Sequence, residues 1–254
     1  MSYLCRKFFW MRRVIVVLFL FPVVFFGCSP NNVTVDDSLG RYFDSAGVKG
    51  AFGMFDNGHG HFTIYNLSRY SDSFYSPEAT FDILMSLVGI QMGVVKDESA
   101  KLLPDTVMML RIGRDTVKKW IDSLQYGNKV TGADAADPFW EDNKLKINCD
   151  EQLGLLKKLY FNQLPFFART QEMVRQMMSS ESNSVYRLSY KTAEGKREDG
   201  HVIGWVMGWE EENKHPYFFV LNLESADTTR DLRQTGLVIA KKILRQEGFF
   251  EGKK

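Results

Sequence analysis

Cysteine is scarce in this chain, with three among 254 residues, at positions 5, 28 and 149. Two fall in the first 28 residues, so a chain processed behind that segment keeps Cys149 alone, and one thiol excludes an internal disulfide. Cys149 reads as a buried apolar residue, because a reactive thiol needs a histidine partner and an electropositive setting. An excess of one charge is missing too. Lys and Arg number 32 against 31 Asp and Glu, a net +1, which leaves no field to recruit nucleic acid, and no nucleic-acid partner is expected. Histidine is limited to His59, His61, His201 and His215, all in or beside turns. The first two lack the carboxylate or cysteine cluster of a metal site, so neither a metal nor a cofactor is expected. Beyond residue 38 there is no internal repeat, low-complexity block or linker.

One long apolar run is present, "VIVVLFLFPVVFF" from Val14 to Phe26, behind the basic residues Arg6, Lys7, Arg12 and Arg13. It is short for a span of roughly 20 residues and contains Pro22, so residues 1–28 read as an export signal. "FFGCSPNN" resembles a bacterial lipoprotein box. That resemblance implies a lipidated Cys28, a tether over residues 29–38 and a membrane-anchored protein of the cell envelope, on its periplasmic side. Ordinary cleavage to a secreted or periplasmic soluble chain, or an uncleaved anchor, are the alternatives.

With 44% apolar and 25% charged residues, residues 39–254 suffice for one large domain with its own core. "VKGAFGMFDNGHGHFTIYN", residues 48–66, is two β runs around a Gly-rich turn. A stretch from Pro77 to Ile121 is mostly helical in pattern, and Cys149 to Ser180 is helical again, with Leu153, Leu156, Leu159 and Tyr160 at helical spacing. The period then changes. "SVYRLSYKTA", "HVIGWVMGWEE" and "HPYFFVLNLE" are three strand patterns, and the chain closes with a helix whose Leu237, Ala240, Ile243 and Leu244 share a face. Strands at both ends and helices between them imply an α+β fold, an antiparallel β-sheet flanked by helices with an inserted helical lobe.

The order of "GVKGAFGMFDNG", "ATFDILMSLVGIQMGVV", "SLQYGN", "DPFWEDNKLKIN", "LLKKLYFNQLPFFARTQEMV", "SYKTA" and "IGWVMGW" resembles the class D serine β-lactamases and their penicillin-binding relatives over nearly the whole length behind the leader. The resemblance implies a β-lactamase/transpeptidase-like fold, and a serine hydrolase chemistry that must be judged at the site. In that family a helix opens with Ser-x-x-Lys, whose lysine, carboxylated in class D enzymes, takes the serine proton. Here those positions are Ala79 and Asp82, and no serine in the chain is followed three residues later by lysine. Thr80 is turned by about 100° from that face. The family's Ser-x-Val motif has no match, neither at Ser99 nor at Asp105-Thr106-Val107, and its Lys-Thr-Gly becomes Lys191-Thr192-Ala193.

What matches is a remnant. Tyr126-Gly127-Asn128 corresponds to a family loop motif and is also good turn chemistry. Trp140 corresponds to the tryptophan that holds the carbamate, and without one reads as a core aromatic with an N–H to satisfy. Lys191 and Thr192 either line a remnant pocket or merely occupy a strand. The substrate-carboxylate arginine aligns with Gly236, with Arg233 or Arg230 able to reach in. Asp82 has two readings, an acid favoured by the helix macrodipole by roughly 0.3–1 kcal/mol, or a retained negative charge paired with Lys191. The expected function is a non-catalytic envelope binding or interaction protein, its partner a β-lactam, a peptidoglycan peptide or another envelope protein. The alternative is an active penicillin-binding enzyme with an unrecognised nucleophile.

Overall fold

The computed structural model describes residues 32–95, 105–132 and 137–254, within one compact unit Asn32–Lys254. The leader, Cys28 and Ser99 lie outside the described residues. Seven strands form one sheet: β1 Val33–Val35, β2 Lys49–Asp56, β3 His61–Tyr65, β4 Ser179–Ser182, β5 Tyr186–Lys196, β6 Val202–Glu212 and β7 His215–Ser225. Their order across the sheet is β1-β3-β2-β7-β6-β5-β4. All pairs are antiparallel except β1 with β3. The stretch expected as a tether therefore ends inside the sheet, because Val33–Val35 pairs with Phe62–Ile64.

Turn chemistry sets the registers. The β2–β3 hairpin closes where the Asp56 carboxylate accepts from the amides of Gly58 and His59 and from the His59 ring. Between β6 and β7 the two linking residues, Asn213 and Lys214, both have positive φ (49° and 68°), the primed-turn geometry that matches the twist of long strands.

The helices are α1 Gly40–Ala46, α2 Leu67–Asp72, α3 Asp82–Gln91, α4 Asp105–Ile112, α5 Arg114–Leu124, α6 Cys149–Tyr160, α7 Ala168–Met177 and α8 Leu232–Gln246. On one sheet face, α8 packs Ile239, Ala240, Ile243 and Leu244 against Val206, Phe219, Leu221 and Leu223. On the other, α3 and α6 bury Leu84, Met85, Leu87, Leu153 and Leu156 against Trp205, Met207, Trp209 and Val220. Strands β6 and β7 are covered on both faces, which is why their sequences are nearly continuous apolar runs. Each buried aliphatic or aromatic side chain contributes about 1.5–3 kcal/mol relative to exposure, so this double burial makes the central strands the most stabilised part of the fold.

Two expected helical stretches are interrupted. The one opening at Pro77 begins as a 3-10 turn, Glu78–Phe81, before the α-helix starts at Asp82. The one from Cys149 breaks after Tyr160, where Asn162 takes φ 55°, and ends in β4 rather than helix. Asn148 starts α6 with a reciprocal capping box to Glu151, satisfying two otherwise unpaired amides.

Candidate functional site

The 3-10 turn lies against β5. In such a turn residues three apart eclipse one another, so Ala79 and Asp82 open to the same side, both partly exposed. Alternation along β5 places Lys191 and Ala193 on the face toward the helical lobe and Thr192 on the α8 face. Lys191 Nζ donates to Asp82 Oδ2, an ion pair whose side chains are 25% and 20% exposed. Thus the two positions that the resemblance aligns with Ser-x-x-Lys hold a methyl group and a carboxylate paired with a cation.

Neighbouring hydroxyls are committed elsewhere. Thr80 is fully buried, donates to the Pro77 carbonyl at 2.6 Å and accepts from Gln152 Nε2 at 2.8 Å. Ser76 donates to the Trp140 carbonyl at 2.6 Å, and Ser86 donates to the Asp82 carbonyl. All three hydroxyls thus spend their protons on backbone carbonyls. Cys149 is buried as well, and burial pushes its thiol up to about 12, which keeps it protonated and unreactive.

An aromatic wall supports the turn. Trp140 stacks on Phe81 at 5.5 Å, with Phe139 and Tyr126 edge-on to Phe81. The Trp140 indole N–H donates to Glu141 Oε1 at 3.3 Å, so its ring serves the core. Tyr126-Gly127-Asn128 fastens the 137–147 loop. The Asn128 amide donates to the Lys146 carbonyl at 2.9 Å and its side chain to the Lys144 carbonyl at 2.8 Å, while its Oδ1 accepts from the Lys146 and Val130 amides. Gly127 has φ 54°, and a Cβ there would overlap the Lys146 carbonyl.

The arginine candidates do not gather at this site. Arg233 is exposed in the first turn of α8, on the far face of the sheet. Arg230 donates to the Ala46 carbonyl at the end of α1. Gly236 is buried where α8 meets the sheet, and a Cβ there would stand 2.7 Å from Val206 Cγ2. Of the expected remnant residues, Asp82 and Lys191 meet directly, with Ala79 and Ala193 on the same sides of the turn and strand.

Two histidines do have carboxylate company. His59 meets Asp56 at 2.7 Å, and His201 lies with Asp199 and Glu224. Glu224, however, is shared by Arg69 at 3.0 Å, Arg197 at 2.7 Å and His201 at 2.7 Å. Burial would raise its carboxyl, but the His201 and Arg69 hydrogen bonds and the two guanidinium charges hold it at about 2. Two fixed cations on one carboxylate make this an ion-pair cluster tying α2, β7 and the β5–β6 turn together.

One residue of the 3-10 turn carried no signal in the sequence. Glu78, an ordinary first-turn acid by pattern, is 3% exposed at φ 51°, and a Cβ on Gly195 would overlap its carboxyl group. Burial first, and then Glu141, pushes it up to about 8. Nearby, Asn143 Nδ2 donates to the Lys196 carbonyl at 3.0 Å, tying the 137–147 loop to the end of β5.

Residues 105–246 match the family described as the penicillin binding protein transpeptidase domain. Over 264 aligned residues the chain is 30% identical to the β-lactamase OXA-20 of Pseudomonas aeruginosa, covering 92% of this chain and 96% of that one. It is 31% identical to the β-lactamase OXA-48 of Klebsiella pneumoniae, over 72% of this chain and 77% of that one. Among solved structures, the C-terminal domain of the Bacillus licheniformis BlaR penicillin-receptor superposes with a TM-score of 0.77 at 23% identity, covering 87% of this chain and 98% of that one. At that identity the likeness speaks to fold alone.

Proposed function

Because the chain belongs to the penicillin-binding-protein transpeptidase family, with class D serine β-lactamases among its relatives, we propose that it is a member that no longer acylates and acts as a binding or interaction protein. The observation that carries this reading is the Lys191–Asp82 ion pair beside Ala79. Acyl-enzyme chemistry needs an activated oxygen, and at the Ser-x-x-Lys positions this chain offers a methyl group and a neutralised carboxylate. The fold itself is not tied to hydrolysis, since activity resides in the residues grafted on it. Candidate ligands are β-lactams, as in the family, and peptides of the cell wall. Exposure of purified protein to a fluorescent penicillin, with an active class D enzyme as control, should leave no band after denaturing electrophoresis. Stoichiometric labelling would support the alternative, an active penicillin-binding enzyme, and direct attention to Ser99 and other serines outside the described residues.

The proposed setting is the bacterial envelope, through export and lipidation at Cys28. Its support is the order of basic leader, apolar run and Gly-Cys in the sequence. No helix among the described residues is long and apolar enough to cross a membrane. A fatty-acid analogue should label the wild type and not Cys28→Ala. Label retained in that variant, or a cleaved and soluble wild type, would refute the anchor.

A further inference from the structure

The seam where the 3-10 turn packs against β5 contains the Glu78 side chain. Glu78 sits in the left-handed region at φ 51° without being glycine or asparagine, a conformation that persists only when surrounding structure enforces it. The enforcing contacts are visible. Its amide donates to the Trp140 carbonyl at 3.0 Å, the same carbonyl that accepts from Ser76, while Trp205 Nε1 donates to the Ser76 carbonyl at 2.9 Å. Held in this way, the carboxyl group lies over Gly195, in a notch that exists because residue 195 has no side chain. β4 pairs only with Arg187–Tyr190, Ser179 standing opposite Tyr190, so Lys191–Lys196 have a strand partner on the β6 side alone.

We propose that Glu78 is a built-in plug, which closes the ligand groove along the β5 edge while its carboxyl is neutral and opens it when the carboxyl ionises. This inference rests on the reading of that groove as the remnant β-lactam site. As a plug it also decides entry, since a ligand lying along Gly195 must displace it.

Chemistry favours such a switch. Glu78 Oε1 is buried without a hydrogen-bond partner, tolerable for a neutral acid and costly for an anion. The groups that bear on it are Glu141 and Asp142, both acidic, from the 137–147 loop, and the Ser76 hydroxyl from its own segment; Gly195 on the β5 side brings no side chain. With Glu141 and Asp142 bearing on it, ionisation expels the carboxylate toward water. Because its carboxyl is pushed up to about 8 by burial and then Glu141, the switch falls in a mildly alkaline range.

The test is equilibrium binding of a fluorescent penicillin, followed by anisotropy. If only the open form binds, apparent affinity scales with the open fraction, so wild type should tighten about tenfold between pH about 7 and about 9. Glu78→Ala should bind tightly at both values and Glu78→Gln weakly at both. In ligand-free protein, tryptophan emission should show a transition in that window for wild type and none for Glu78→Gln. The proposal is overturned if Glu78→Ala binds no better than wild type at neutral pH, or if Glu78→Gln keeps the pH dependence of either signal. Both readouts are non-covalent, so a label that survives denaturation would contradict the non-acylating reading without touching the plug.

Discussion

At the scale of single residues, the site is defined by what Asp82 does. An acid in the first turn of α3 interacts favourably with the helix dipole regardless of any partner, but the structure adds Lys191 from β5, more than a hundred residues away in sequence. An ion pair that is about one-quarter exposed is screened in part, so its coupling should be modest, on the order of 1 kcal/mol. A double-mutant cycle on Asp82→Asn and Lys191→Met, followed by chemical denaturation, should return that coupling, with the double variant more stable than the sum of the singles implies. Strict additivity would mean that Asp82 is no more than a favourable helix start. Sequence reasoning could pose this pair, because an aspartate and a lysine stood at motif positions that the family brings together. It could not find Glu78, since an acid after proline at a helix start is ordinary, and only the left-handed φ and the bare Gly195 make it unusual.

Elements follow the same division between patterned and unpatterned signals. The 11-residue strands β5, β6 and β7 and the helices α3, α6 and α8 were legible because their burial imposes long apolar runs or helical spacing. β4, Ser-Ser-Glu-Ser, was not. Its residues have little β preference, and it is a strand through its pairing with Arg187–Tyr190. β1 and the short helices α1 and α2 were missed for a related reason, three to seven residues being too few to establish a period. Helix α2 is anchored through Arg69, which reaches Asn222 and Glu224 on β7. That contact gives acid its point of attack. The Glu224 carboxyl is held at about 2 in the fold, against an ordinary value of 4.5, so the native state binds fewer protons there than the unfolded chain. Its stabilisation is present above about pH 4.5 and is lost as pH falls toward about 2, by at most about 1.4 kcal/mol for each pH unit crossed in that interval. Glu224→Gln should therefore be destabilised at neutral pH and show a flatter loss of stability across that acid range. An unchanged acid slope in this variant would show that other carboxylates govern it.

On the scale of the whole molecule, the proposed function separates the scaffold from the family's chemistry. The sheet, the two hydrophobic layers and the loop fastened by Asn128 keep the family's architecture, with relatives aligned over most of both chains. Under the proposed function, the difference from an acylating member includes positions around β5, where Ala79, the Asp82–Lys191 pair, Ala193 and Glu78 stand. Groups that act together in catalysis are strongly non-additive, so restoring Ala79→Ser and Asp82→Lys should yield at most slow acylation, with Glu78 still in the groove and Ala193 on the strand. Intact-protein mass spectrometry after incubation with penicillin tests the loss of acylation most directly. Wild-type protein should keep its unmodified mass at every time point, and a stoichiometric penicilloyl adduct on the wild type would contradict it.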